Sequence, residues 1–550
     1  MTNLPMFIEP VFGKNFFGRE EILATLNKRV NAIRGGYRQN LALAGPMLAG
    51  KSSILRHFLA NLKTPDIVPL YIEMSGEDYR AFCVRVMASL LFQFLKGEGA
   101  KPEGDFDFLK NACRPLVPDT VRHIERVCSL LDSRKNDDAF EELLGLSSIF
   151  KTETGKNCVV ILDEFHNLSN FHLKKPFHTL GKFIMIQKNT MYIVSSSQKT
   201  LLKDILSQKL SLLFGNFEIL EINGFDNQTA RSFLSEKITG TASSENIENY
   251  LIQLSQGSPF YLEMFSRRFS ETMKRKNGEK GEKECLLDAL ADLLYDSNGV
   301  LNHYFNNNVN FFLEKKSRRK YLPILIAMAH GGSTAKAIQE NIGRKSKDLG
   351  EKLQRLQHMD LIYKSGVFYK ISDKLFEYWL KNVYALKTKS VVDDLDIKYL
   401  EFKNLAEKDY RDYCGFSALS VTEVILDLFK SFRNEKIQIR LHERKLPMFD
   451  SVEICPVTGT ITGVKGRLKD RCWMCHIKHG HRANEQDIYD LSGLKTAGAK
   501  KSKVARKVFM PLKGIEHNAF LLAKEKNVWV WDVQQLNEIL RLFGKFELVL

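Results

Sequence analysis

The first 225 residues alternate short apolar runs with longer stretches of helical spacing. The runs are "NLALAG" (40–45), "IVPLYIEM" (67–74), "NCVVILDEF" (157–165), "NTMYIVSSS" (189–197) and "FEILEIN" (217–223). Near-continuous apolar strands separated by helices predict a buried parallel sheet, hence an α/β domain over 1–225. From 226 to 312 the period becomes helical. "NQTARSFLSEKI", "SENIENYLIQLSQ" and "SPFYLEMFSRRFSETMKRK" carry apolar residues at three-and-four spacing. "MKRKNGEKGEKE" (273–284) is polar and contains glycine, which predicts an exposed loop.

Residues 313–386 read as a separate small unit. Three helices are predicted over "RRKYLPILIAMAHGG", "STAKAIQENIG" and "SKDLGEKLQRLQHMDLI", with Ser333 or Thr334 as N-cap of the second. "IYKSGVFYKIS" then gives two short strands around Ser365-Gly366. Three helices followed by a hairpin is the plan of a winged helix. Residues 387–400 read as a connector opening the last segment, 387–550. That segment begins with the helical stretch "YLEFKNLAEKDYRDYCGFSALSVTEVILDLFKSF". Strand candidates "FDSVEIC", "TITGVKG", "CWMCHIKH" and "KVFMPLKG" follow, then "NAFLLAKEK", "VWVWDV" and "QQLNEILRLFGK", a second α/β unit.

The first run leads into "ALAGPMLAGKSSILRHF" (42–58). Gly45-Pro46-Met47-Leu48-Ala49-Gly50-Lys51-Ser52, with Ser53 behind it, fits G-x-x-x-x-G-K-[ST] between a predicted strand and a predicted helix. Glycine admits the positive φ and close approach that backbone N–H groups need to wrap phosphate oxygens. The following helix offers its free N–H groups and positive dipole end. Lys51 would neutralise β- and γ-phosphate charge, and the Ser52 hydroxyl would meet Mg2+. In "CVVILDEFHNL" four apolar residues end in Asp163-Glu164. Asp163 would hold Mg2+ directly or through water, and Glu164 would polarise the attacking water. Ser195-Ser196-Ser197 would sit near the γ-phosphate if their strand neighbours the first; otherwise they cap a strand-to-helix turn.

Composition narrows the class. No run approaches the roughly 18 apolar residues of a membrane span. The first residues lack the basic-then-apolar pattern of a secretory signal. Nine irregularly spaced cysteines do not suggest a disulfide framework, so a reducing cytoplasm is expected. The net charge of +16 permits contact with nucleic acid or another polyanion.

"FFGREEILATL" (16–26), "GPMLAGKSS", "VVILDEF", "IVSSSQ" and "QGSPFYLEMF" (256–265) occur in that order. As a set they resemble the archaeal-type ATPases, relatives of the STAND signalling NTPases and the origin-recognition ATPases. The resemblance covers residues 10 to about 386 and implies an AAA+/STAND-like P-loop core, a helical lid and a winged helix. It implies that Phe17-Gly18-Arg19 sits by adenine and ribose. Gly257-Ser258-Pro259 would close over the nucleotide. Relatives carry an arginine where this chain has Asn216, and Arg267 or Arg268 would then substitute as the arginine finger. In the winged helix, Arg344, Lys345, Lys347, Lys352, Arg355, Lys364 and Lys370 could meet DNA phosphates; interspersed Asp348, Glu351 and Asp360 favour internal packing instead.

The stretch "FDSVEIC…CWMCHIKHG…EQDIYDLSGL" resembles a PD-(D/E)XK nuclease (restriction-endonuclease-like) fold over about 420 to 545. The resemblance implies Glu423 as the helix acid, Asp450 as the strand-end acid and Lys478 as the lysine, with Mg2+ held by hard oxygen ligands. His476 stands where Glu or Gln is expected, and imidazole is a poor Mg2+ ligand. Cys455, Cys472, Cys475, His479 and His481 invite a zinc reading. Strand alternation, however, points Cys472 and Cys475 to opposite faces. "LKTAGAKKSKVARKVF" (494–509) holds Lys495, Lys500, Lys501, Lys503, Arg506 and Lys507 with no acid, a polyanion patch or a solvated loop.

These readings converge on a Mg2+-dependent, ATP-binding and ATP-hydrolysing switch coupled to the C-terminal domain. The expected partners are ATP, DNA or other nucleic acid, and a protein partner or second copy, with no membrane. The alternatives are a nucleotide-gated signalling scaffold with negligible turnover and an ATP-regulated DNA nuclease.

Overall fold

The computed structural model describes residues 9–74, 78–210, 215–238, 243–275, 281–312, 315–343, 348–389, 394–439, 442–456, 461–493 and 503–550. The chain divides into two compact units. One is Met1–Phe225 with Ser258–Phe260, the other Asp226–Gly257 with Tyr261–Leu550.

In the first unit the apolar runs form β1 (Asn40–Ala44), β2 (Ile67–Glu73), β3 (Asn157–Asp163), β4 (Thr190–Ser196) and β5 (Phe217–Glu221). They pair in parallel, in the order β2-β3-β4-β1-β5. Helices α1 (Glu20–Ala32) and α2 (Lys51–Asn61) flank β1 in sequence. Helices α3 (Tyr79–Gly97), α4 (Phe106–Cys113), α5 (Pro118–Asp132) and α6 (Asn136–Thr154) fill the crossover from β2 to β3. Helices α7 (Pro176–Ile186) and α8 (Lys199–Asp204) flank β4. Strand alternation feeds two cores. Leu41 and Leu43 pack with α1 and α2, whereas Ala42 and Ala44 face the cluster containing Phe82, Leu143 and Tyr192. Burial on both faces is why β1, β3 and β4 read as near-continuous apolar runs. The order sets β4 between β1 and β3, so Gly45, Asp163 and Ser196 share the carboxyl edge of the sheet.

The second unit opens with α9 (Asn227–Lys237), α10 (Glu245–Ser255), α11 (Pro259–Arg275), α12 (Glu282–Leu290) and α13 (Val300–Phe312). Of the loop expected at 273–284, residues 273–275 end α11 and 282–284 open α12, and 276–280 lie outside the described residues. Next come α14 (Lys315–Ala329), α15 (Ala335–Ile342), α16 (Leu349–His358) and the antiparallel pair β6 (Ile362–Ser365) and β7 (Phe368–Ile371). Thr334, not Ser333, caps α15, accepting from Ala337 N at 3.2 Å.

Helices α17 (Lys374–Trp379), α18 (Ala385–Lys389) and α19 (Leu395–Ser417) follow; the end of α18 and the start of α19 fall in the expected connector 387–400, of which 390–393 lie outside the described residues. Helix α19 is tied to the first helices of this unit by Tyr250 OH to Asp409 (2.8 Å) and by Lys403 to Asp288 (2.6 Å). The chain continues through α20 (Val421–Ser431), β8 (Lys436–Ile439), β9 (His442–Lys445), β10 (Ser451–Pro456), β11 (Ile461–Leu468) and β12 (Arg471–Lys478). It ends with α21 (Glu485–Gly493), β13 (Lys503–Pro511), α22 (His517–Glu525), β14 (Trp529–Val530) and α23 (Val533–Leu542). The second sheet runs β10-β11-β12-β13-β14, antiparallel through β12 and parallel thereafter. Phe429 of α20 and Ile539 of α23 pack with Trp473 and Ile477 on one face. Ile488 of α21 and Ala519 of α22 pack with Phe509 on the other. Among the described residues no helix is long and apolar enough to cross a membrane.

Candidate functional site

The loop after β1 is shaped by three backbone demands. A Cβ on Gly45 would lie 2.3 Å from the Ile222 carbonyl oxygen, so the first glycine is required by the close approach of the chain leaving β5. Gly50 has φ of 92° and Leu48 φ of 63°, which turn the loop into α2. Lys51 opens that helix and is only 4% exposed. Its ammonium donates to Gly45 O (3.0 Å) and Pro46 O (2.9 Å), curling back over the loop. Burial lowers its pKa, and the nearby Glu164 and Asp163 carboxylates partly restore it.

Asp163, at the end of β3, gathers four donors. Ser52 Oγ donates to Oδ2 at 2.6 Å and Tyr71 OH at 2.5 Å. Ser195 Oγ and Glu164 N donate to Oδ1. The strand neighbour condition for the serines is met, since Ala44 of β1 pairs with Ser196 of β4. Glu164 follows in the left-handed region, φ 54°. Its Oε2 accepts from Ser197 N (3.0 Å) and Ser197 Oγ (2.8 Å). The same oxygen lies 3.3 Å from His166 Nδ1. His166 Nδ1 also meets Ser196 Oγ at 2.9 Å, and Nε2 meets the Gln198 amide nitrogen at 3.2 Å. Burial lowers the His166 pKa, which favours the neutral ring.

Tyr71, His166 and Gln198 were not singled out from the sequence. Tyr71 reaches Asp163 because β2 pairs with β3 in the register Tyr71↔Ile161, Glu73↔Asp163. His166 carried a local signal, a polar residue three positions after Asp163 in "DEFHNL". Of Phe17-Gly18-Arg19, the arginine reaches the loop. Arg19 donates to Ala49 O (3.2 Å) and Asn223 O (2.6 Å), and its guanidinium lies 4.7 Å from the Phe225 ring centre. Ser53 Oγ accepts from Val11 N at 3.0 Å, so the segment before α1 is fastened to α2.

This strand–loop–helix with an acidic pair on β3 has a counterpart among known families. Residues 15–174 match the AAA ATPase domain. The search of curated proteins finds no match. Among solved structures the chain is similar to the Walker-type ATPase PABY2304 of Pyrococcus abyssi at 18% identity and TM-score 0.48, covering 68% of this chain and 99% of that one. It is also similar to the Aeropyrum pernix ORC2 protein in ADPNP–ADP complexes at 11% identity and TM-score 0.42, covering 70% and 98%. The Aeropyrum pernix ORC1 protein in complex with DNA gives 14% identity and TM-score 0.36, covering 68% and 94%.

The positions expected to bear on the arginine finger have other partners within their own units. Asn216 lies at the opposite end of the first sheet from Gly45, where its carbonyl accepts from Asn40 N at 3.2 Å. In the second unit Arg267 pairs with Glu271 (3.0 Å), and Arg268 with Asp292 (2.6 Å) and Glu271 (3.2 Å). Gly257 has φ of 69°, and Pro259 is the first residue of α11.

The hairpin β6–β7 is covered at its turn and along β7. Val367 N donates to Lys436 O at 3.0 Å, and a Cβ on Gly366 would lie 1.9 Å from that same oxygen. Arg541 clamps the far strand through Ile371 O (2.7 Å) and Ser372 O (3.1 Å). Lys370 is therefore only 9% exposed, and burial lowers its pKa; it cannot meet a phosphate as expected. Lys364 leans over the Tyr369 ring. Arg355 stands exposed on α16 and Lys352 is half-buried, while Arg344, Lys345 and Lys347 lie outside the described residues.

The nuclease-like set is divided by strand register. Ser451 pairs with Arg467, and Arg467 with Cys472; Thr462 pairs with Ile477. Asp450, whose N–H donates to Arg467 O, is thus level with Cys472, roughly 20 Å along β12 from Lys478. The meander places the expected acid at the wrong end of the sheet, and β11, "ITGVKGRL", contains no carboxylate to replace it. Glu423 does start α20 near the Lys478 end, since Thr422 Oγ1 meets Thr462 Oγ1 at 2.8 Å. Its carboxylate, however, serves a capping box with Ser420 N and Oγ, both at 2.8 Å. Lys478 pairs with the buried Asp487 of α21, an acid the sequence reading passed over. His476 is 2% exposed, its Nε2 has no partner among the described residues, and burial with Lys507 pushes its pKa from 6.5 to about 4. Cys472 and Cys475 sit three residues apart on β12, on opposite faces. Among the described residues no group of three or more His, Cys, Asp or Glu is arranged to hold a metal.

Proposed function

We propose that the AAA domain binds ATP with Mg2+ and hydrolyses it. The observation that carries this reading is the Asp163 cluster. Ser52 Oγ and Asp163 Oδ2, 2.6 Å apart, are hard oxygen donors suited to Mg2+. When bound, Mg2+ would neutralise charge on the β- and γ-phosphate oxygens. Lys51 exchanges its bonds to Gly45 O and Pro46 O for phosphate oxygens. Backbone N–H groups of residues 45–52 cradle the phosphates at the start of α2. Arg19, anchored to Ala49 O, orients the loop's outer wall toward adenine and ribose. Glu164 positions the attacking water, with Ser197 and His166 fixing its carboxylate, and Ser196 lies within reach of the γ-phosphate.

The hydrolysis cycle acts as a switch on the C-terminal domain, 387–550, which engages nucleic acid or a partner. The tail of the second unit supports this coupling. Its carbonyls at Leu548 and Val549 accept from Asn227 (3.3 Å) and Arg231 (3.1 Å) of α9, and Glu547 N donates to Gln253 of α10 (3.3 Å). Residues 226–312, read as a lid, are thereby joined to the winged-helix-like segment and the nuclease-like sheet. The sheet serves binding rather than cleavage, because its acid and its lysine are apart. The test is ATP turnover by the full chain, with and without double-stranded DNA, beside Lys51→Ala. Turnover lost in the variant is expected. Equal turnover in both proteins would contradict the reading; tight ATP binding without turnover would make the chain a nucleotide-gated scaffold.

A further inference from the structure

Two arginines share one tryptophan on the α20–α23 face of the second sheet. The guanidinium carbons of Arg444 and Arg506 lie 4.5 Å and 4.3 Å from the ring centre of Trp529, in edge strand β14. Pairing fixes both. Arg506 is opposite the buried Trp473, which meets Trp529 edge-on at 5.2 Å. Arg444 is opposite the buried Ile437.

Among the described residues neither charge meets a carboxylate. Among the described residues the Arg444 side chain has no hydrogen bond or ion pair. Among the same residues Arg506 donates only to the neutral Asn527 Oδ1, at 3.0 Å. Elsewhere in this unit Arg231, Arg268 and Arg467 each meet a carboxylate. Burial lowers both guanidinium pKa values, and the charge of Arg444 lowers that of Arg506 further. Two cations held within roughly one Debye length, about 8 Å at physiological salt, repel unless an anion joins them.

We propose that Arg444, Trp529 and Arg506 form a clamp for the phosphodiester backbone of a nucleic-acid strand. Guanidinium forks match phosphate oxygens in pairs, and stacking on an aromatic face holds their planes in place. The two forks come from separate strands, β9 and β13, around a half-buried ring at a sheet edge. That open, two-point site suits successive phosphates of a strand better than a single enclosed anion. The proposal rests on the second unit being the half that engages nucleic acid.

The experiment is fluorescence anisotropy of a labelled DNA oligonucleotide against the full chain, over a salt series. The proteins are wild type, Arg444→Gln/Arg506→Gln and Arg444→Lys/Arg506→Lys. Thermal melts and ATP binding check that each variant is folded. The glutamine pair should bind about tenfold or more weakly, and its slope of log K against log salt should fall by roughly 1.4–1.8, two phosphate contacts. The lysine pair should keep the slope but lose affinity, since it lacks the fork. Unchanged affinity and slope in the glutamine pair would overturn the clamp while leaving nucleic-acid engagement standing. No binding by wild type would overturn both. Competition by inorganic phosphate as strong as by unlabelled oligonucleotide would overturn the strand assignment.

Discussion

Asp163 and Asp450 invite the same description from sequence, a carboxylate at a strand end that serves a metal beside a lysine. The molecule treats them oppositely. Asp163 collects donors from β2, β4 and α2 and stands by Ser52 and Glu164. Asp450 is level with Cys472, at the other end of the sheet from Lys478. The difference is one of range. The phosphate loop is a strand, a turn and a helix contiguous in the chain, so its motif is its geometry. The nuclease-like set depends on how three strands of a meander are paired, and spacing along the chain does not specify which ends meet.

The sharpest way to break the contrast is to neutralise both acids. Asp163→Asn should cut ATP turnover by at least about 100-fold, as for loss of a group aimed at transition-state charge, whereas Asp450→Asn should leave turnover and stability within error. A drop on Asp450→Asn, or Mg2+-dependent DNA cleavage that needs Asp450, would collapse the distinction.

Lys478 has a different partner, and removing it is expected to cost stability. Asp487→Ala leaves a largely buried ammonium without its carboxylate, so a denaturant melt should show a loss of about 3–5 kcal/mol. Lys478→Met with Asp487→Leu should recover most of it.

His476 marks the same sheet through pH. Its folded pKa of about 4 lies below the ordinary 6.5, so the unfolded chain binds the proton more readily. Its stabilising effect is complete above pH 6.5 and is lost as pH falls toward 4. The loss is on the order of 3 kcal/mol. Stability measured over that window should fall in wild type and fall less in His476→Leu; parallel curves would contradict a buried neutral imidazole. The smallest expected effect concerns the helix start at α15. Thr334→Ala should cost about 1 kcal/mol and Ser333→Ala nothing measurable in the same melt.

Much of the first unit was legible because its signals are local. Five apolar runs bounded by helical stretches became five parallel strands, buried in β1, β3 and β4 and partly exposed at the edges, and Gly50 turns where the motif requires it. The role of Gly45 was not legible, since it answers to the Ile222 carbonyl beyond β5. Tyr71 was hidden for the same reason, its place by Asp163 being a matter of register. In the second unit, polar composition concealed structure. The hairpin "KIQI"–"HERK" shows only alternate or no buried positions, and the stretch read as a connector holds Asp394, which caps the 23-residue α19. Lys370 looked exposed because a two-stranded hairpin does not declare which face another element will cover. One signal was present in the sequence and outweighed: Ser420-x-x-Glu423 is a capping-box spacing, and the structure uses Glu423 for that.

The most direct test of the account compares ATP binding with single-turnover hydrolysis in wild type and Glu164→Gln. Glu164 is the one carboxylate assigned to the attacking water, so the variant should bind ATP as wild type does and lose hydrolysis by roughly 100-fold or more. Hydrolysis at the wild-type rate in Glu164→Gln would contradict the assignment of the Asp163–Glu164 cluster as the reacting centre.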